Sequence, residues 1–128
     1  MKLLNPPRLG SAPKNYTHGI LVDHAAGVLY VSGQVGLDAK GDVSPDFATQ
    51  ARTAWRNVEL VLGAAGMSVS DIVKTAVFLV RSEDFPVFVE VRREILKGHR
   101  PASSLVYVSG LADAAWKVEI EAVAVKKL

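Results

Sequence analysis

Residues 71–80 read Asp-Ile-Val-Lys-Thr-Ala-Val-Phe-Leu-Val, a β-branched and apolar run too uniform for an exposed strand, which places it centrally in a sheet. The rest of the chain is arranged outward from it. On its N-terminal side Ser44-Pro45-Asp46 is a helix start: Ser44 caps, Pro45 suits the first helical position, and Asp46 sits near the positive end of the dipole. Ala48, Ala51, Trp55, Val58 and Leu62 then recur at spacings of three and four and mark one buried face. Arg52, Arg56 and Glu59 fall off that stripe, and Gly66 is the stop. On the C-terminal side Ser82-Glu83-Asp84 opens a second helix, with Pro86 in its first turn where proline is tolerated. Phe85, Phe88, Val89, Arg92, Ile95 and Leu96 outline its packing side, and Gly98 ends it.

Strand pairs flank this α-β-α centre. Ile20-Leu21-Val22 and Val28 to Val31 read as a hairpin about a glycine-containing connection, and the second strand stops at Ser32-Gly33-Gln34. A loop turning at Asp38-Ala39-Lys40-Gly41 leads to the first helix. Ser104 to Ser109 and Lys117 to Val125 alternate as strands near the C-terminus. The order is β-β-α-β-α-β-β, an α+β class with two helices on one face of a mixed sheet. No further helix can cover the other face, so burial against copies of the same chain is expected. With no internal repeat and no linker, residues 1–128 read as one domain.

Composition narrows the function classes. The chain is 49% hydrophobic and 22% charged, ordinary for a globular protein, and at this length it buries roughly two-thirds of its unfolded surface. Cysteine is absent, which excludes disulfides, thiolate metal sites and a thiol nucleophile. The first residues are broken by Pro6, Pro7 and Pro13 and hold no apolar core of signal-peptide length. A soluble, cytoplasmic protein is expected. The net charge of +2 is scattered: Arg92-Arg93, Lys97 with Arg100, and Lys126-Lys127 read as solvated faces and a charged tail. Nucleic-acid surfaces interleave basic and aromatic residues on one face, a pattern this sequence does not show.

Among residues that carry chemistry, Glu119 and Glu121 are two apart on one strand and share a face, with Val118, Ile120 and Ala122 on the other. They are either a solvent-facing edge or, at an interface pocket, a carboxylate that orients water or a substrate amine. Gly33 lies at a strand end, either as a turn glycine or where a backbone N–H can approach a ligand closely. Tyr16 precedes the first strand as a pocket lid or a surface aromatic. His18, His24 and His99 lack metal-ligand spacing, Ser103-Ser104 has no nucleophile elbow around it, and no phosphate-cradling glycine loop is present.

Taken in order, Tyr16-Thr17-His18-Gly19, Leu29-Tyr30-Val31-Ser32-Gly33-Gln34, Gln50-Ala51 with Asn57-Val58, Ala64-Ala65-Gly66, Asp71-Ile72-Val73-Lys74-Thr75, Arg100-Pro101-Ala102-Ser103 and Val118-Glu119-Ile120-Glu121-Ala122 resemble the YjgF/RidA family, also labelled endoribonuclease L-PSP. The resemblance implies a chorismate-mutase-like fold and a homotrimer around a central barrel, with small-molecule pockets at the subunit interfaces. It also implies hydrolysis of reactive imines and enamines to ammonia and a 2-keto acid without metal or organic cofactor. Tyr16, Gly33 and Glu119 match the family's tyrosine lid, loop glycine and water-positioning glutamate. The carboxylate-clamping arginine has no counterpart. Where the family reads Pro-Ala-Arg-Ser-Cys-Val, this chain reads Pro101-Ala102-Ser103-Ser104-Leu105-Val106, and Val89 stands for a frequent asparagine. Losing a bidentate charge-assisted contact weakens carboxylate binding by roughly 2 kcal/mol. Arg100, three residues before Ser103, is the alternative cation. Two readings therefore stay open: a deaminase whose substrate differs from 2-aminoacrylate and whose catalytic residue is Glu119, or a non-catalytic trimer that binds metabolites or partner proteins. Ribonuclease activity ranks below both.

Overall fold

A computed structural model describes residues 1–14 and 16–128. The strands are β1 (Lys2–Leu4), β2 (Gly19–Leu21), β3 (Gly27–Val35), β4 (Ile72–Leu79), β5 (Ala102–Tyr107) and β6 (Val118–Lys126), with helices α1 (Phe47–Ala64) and α2 (Phe85–Leu96). The main sheet runs β3-β6-β4-β5. Only the β4–β5 pair is parallel, joined through α2, and β6 is antiparallel to both of its neighbours. The run at 71–80 is thus an interior strand, as its uniform apolar character requires.

Alternation sorts the sheet into two faces. Val118, Ile120, Ala122 and Ala124 of β6 join Ile72, Val77 and Leu79 of β4 and Val31 of β3 in one buried cluster with Trp55, Val58, Leu62, Phe88, Val91 and Leu96 of the helices. Among the described residues no helix lies over the opposite face. There Tyr30 is 77% exposed, and Val28 and Val106 are about half exposed.

Three sequence expectations need correction. Ile20–Val22 does not form a hairpin with β3: β2 pairs with β1, Leu3 opposite Ile20, while β3 pairs along its length with β6. Residues 22–26 lack the two-residue glycine turn that forces adjacent strands together. The N-terminal arm instead lies along the β5 edge, where Thr17 bridges Ala102 and its N–H donates to the Pro101 carbonyl at 3.0 Å. Phe85, assigned to the packing side of α2, is exposed. Finally, the cap of α1 is Asp46 rather than Ser44. Its carboxylate accepts from the Thr49 N–H at 3.0 Å and the Thr49 hydroxyl at 2.7 Å, while the Ser44 hydroxyl accepts from the Asp46 N–H.

These Thr49 hydrogen bonds hold the Asp46 carboxyl below its ordinary value of 3.8. The cap therefore stabilises the fold above that pH, and its contribution is lost as pH falls through the lower folded value. Asp46→Ala is expected to melt below wild type at pH 7, with the gap closing in acid below 3.8. Paired thermal melts across that range check it.

Candidate functional site

The β3–β6 ladder carries one irregularity. Val31 stands opposite Ala122 and Gln34 opposite Ile120, so Ser32 and Gly33 share the single partner position of Glu121. This is the count of a β-bulge, which re-aims the strand locally. It sets Gly33 against Glu119. A Cβ at Gly33 would fall 2.7 Å from the Glu119 Cδ and 2.8 Å from its Oε2, so only glycine admits the carboxylate there. Glu119 is half-buried and Glu121 exposed, both on the helix-free face and opposite Val118 and Ile120.

Beside this pair a concavity of about 250 Å³ opens on the same face, lined by Tyr30, Ser32, Lys74, Ala76, Glu121 and Val123. The Lys74 ammonium donates to the Ser104 hydroxyl at 3.1 Å. Sequence reasoning did not single out Lys74 or Tyr30, and weighed Ser104 only as a nucleophile. The available signal was Lys74 itself, the sole charge in an otherwise apolar interior strand.

The other candidates assemble elsewhere. Tyr16 stands edge-on to His18, with ring centroids 5.7 Å apart, in the segment that lies on β5. The Arg100 guanidinium donates to the Pro13 carbonyl at 2.8 Å and so fastens that segment. The Ser103 hydroxyl accepts from the Thr75 hydroxyl at 2.8 Å, and Thr75 is only 1% exposed. Register explains the separation. Ser103 is level with Thr75 and Ala122, whereas Glu119 is level with Phe78 and Val106, so Ser103 and Glu119 face opposite sides of the sheet. Gly33 lies on β3, three strand spacings from β5, or about 14 Å. One copy thus joins Gly33 to Glu119, and Tyr16 to the Arg100–Ser103 corner, but not the two groups to each other.

Of the histidines, the His99 Nε2 lies 2.7 Å from the Ile72 carbonyl and is a packing residue, while His18 and His24 are exposed.

The family model described as Endoribonuclease L-PSP matches residues 9–126. The chain belongs to the YjgF/RidA family. It is 33% identical over 127 residues to the rat 2-iminobutanoate/2-iminopropanoate deaminase, covering 98% of this chain and 90% of that one. The structure of Escherichia coli TdcF with bound serine matches at a TM-score of 0.75 and 32% identity, covering 99% of this chain and 100% of that one. YyfB from Yersinia pestis, of the Rid protein family, superposes at a TM-score of 0.86 with 97% of both chains covered, and at 24% identity that likeness is of fold alone. The α+β class, with two helices against a mixed sheet, is therefore as the sequence indicates. No helix among the described residues is long and apolar enough to cross a membrane.

Proposed function

We propose that this chain is a cofactor-independent deaminase acting on a small reactive imine or enamine, in a pocket completed by a second copy. The observation that carries this reading is the Glu119 carboxylate seated against Gly33 at the bulge. A carboxylate held beside backbone and half out of water is placed to take a proton from an attacking water. The water oxygen bonds to the imine carbon as its proton passes to Glu119. That proton then moves to the nitrogen, giving the neutral carbinolamine. Glu119 next takes the hydroxyl proton and passes it to the same nitrogen as the C=O bond forms and the C–N bond breaks, so both water protons leave on ammonia and a carbonyl product remains. The deaminase names of the relatives support the same chemistry.

The two-group arrangement supports an inter-subunit pocket. Apposing the Gly33–Glu119 side of one copy to the Tyr16 and β5 edge of the next joins the groups that a single copy holds apart. A homotrimer would also cover the helix-free face that exposes Tyr30 and Val106. A co-crystal with 2-ketobutanoate is expected to show density between copies, touching Gly33 and Glu119 of one and Tyr16 of its neighbour. Density confined to a single copy would overturn the pocket.

Gly33→Ala separates a catalytic role from a structural one. The intruding methyl meets the end of a flexible side chain, so the fold yields cheaply while the carboxylate moves. Activity is expected to fall about tenfold to a hundredfold, the cost of misplacing a reacting group by about 1 Å, with the melting temperature nearly unchanged. Equal loss of both would contradict the assignment.

A second reading, a metabolite-binding trimer without turnover, is favoured by one observation: Ser103 and Arg100 are already engaged by Thr75 and Pro13. Arg100 is tethered to the Pro13 carbonyl through one of its N–H groups, and the Ser103 hydroxyl has a single donor to offer, so the family's bidentate clamp is not reproduced at Ser103. Under the first reading the same fact directs the enzyme to a substrate other than 2-aminoacrylate.

A further inference from the structure

Arg92 and Arg93, adjacent in sequence, have opposite surroundings. Arg93 is exposed and pairs with Glu90 at 3.4 Å. Arg92 is 7% exposed and so is not part of the solvated face that the sequence suggested for the pair. Among the described residues it forms no ion pair and its Nε–H has no hydrogen-bond partner. Burying a guanidinium strips its hydration, and folds ordinarily repay this with a carboxylate. The other acid of α2, Glu94, is bound to Arg52. The Phe88 ring, 5.4 Å from the guanidinium carbon and stacked on Trp55, offers a π face but no acceptor. Two carbonyls of the last turn, those of Arg93 and Leu96, accept from the Lys97 and His99 N–H groups. Burial pushes the Arg92 pKa down, yet an arginine stays charged in a protein.

The Arg92 side chain borders a concavity of about 50 Å³ whose remaining walls are Lys14, Arg93, Leu96, Gly98 and His99. Every ionisable group on that list is basic. We propose that this concavity is a binding site for a free small carboxylate, held by Arg92 and closed by Lys14. A guanidinium offers parallel N–H donors that match two carboxylate oxygens. The volume suits a carboxylate head and leaves no room for a nucleotide. Occupancy would join the N-terminal segment, two residues before Tyr16, to the foot of α2. The site is distinct from the Gly33–Glu119 pair and stands whether or not the deaminase reading does.

The test titrates sodium acetate at constant ionic strength, balanced with sodium sulfate, while following the Arg92 Nε–H resonance by NMR. A saturable shift and a matching rise in melting temperature are expected for wild type. Both should vanish in Arg92→Met. Lys14→Gln should weaken acetate binding by about threefold, the scale of one exposed charge contact, with the acetate-free melting temperature unchanged. Should Arg92→Met fail to fold, Lys14→Gln carries the test. A shift that is absent, does not saturate, or is unaltered by Lys14→Gln overturns the proposal, and so does an equal response to sulfate. A bound water on Nε would give the first of these results.

Discussion

Glu119→Gln is expected to slow imine hydrolysis by about 10²–10⁴-fold, the range a positioned general base contributes. The substitution keeps the size and shape of the side chain and removes its ability to take a proton. Glu119 rests over Gly33 on the helix-free face rather than in the core, so the variant should melt with wild type. Glu121→Gln is the control. It lies two residues along on the same face but is exposed, and the atoms nearest a Cβ at Gly33 are all those of Glu119, so its activity should stay within about threefold of wild type, an exposed charge contributing little. Ammonia and keto-acid release measure both variants. If the ordering is reversed, the water is oriented by Glu121 and the bulge does not organise the site.

The largest stability effect is expected at Gln50. Its side chain is 1% exposed. The Nε2 donates to the Ser44 carbonyl at 2.8 Å and the Ala115 carbonyl at 3.0 Å, and the Oε1 accepts from the Lys117 N–H at 3.0 Å. One amide thus ties the entry to α1 to the segment that leads into β6, two residues before Glu119. The Gly36 backbone packs against it, since a Cβ there would lie 2.8 Å from the Gln50 Cα and carbonyl oxygen. Gln50→Leu fills the same space and leaves three polar groups without partners. A loss of about 3 kcal/mol is expected, or roughly 10 °C in melting temperature for a domain of this size. A loss below about 1 kcal/mol would mean that water replaces the amide.

The elements that the sequence made legible are those specified by a local period. Residues 71–80 placed themselves in the sheet interior because no face of the run is polar. The α1 stripe from Ala51 to Leu62 is buried as its spacing requires. Pairings that depend on distant partners were not legible: β2 turned to β1 because nothing in residues 22–26 compels a hairpin. The same holds within the site. Alternation put Glu119 and Glu121 on one face, but only the two-for-one count at Ser32 and Gly33 decides which of them meets the glycine. Ser103 sits where the family's arginine is expected, yet its side is set by parallel register with Thr75, which no spacing along β5 reveals. Arg92 fitted the packing stripe of α2, and its lack of an acidic partner became visible only once Glu90 and Glu94 were seen to be engaged by other arginines.

Imine hydrolysis by Glu119 is the central reaction. Its most direct test generates a panel of small 2-imino acids in situ from their amino acids and follows ammonia and keto-acid release with wild type, Glu119→Gln and no protein. Wild type should accelerate release from at least one imine other than 2-iminopropanoate, and Glu119→Gln should lose about 10²–10⁴-fold of that acceleration. No acceleration by wild type across the panel, or equal acceleration by Glu119→Gln, would contradict it.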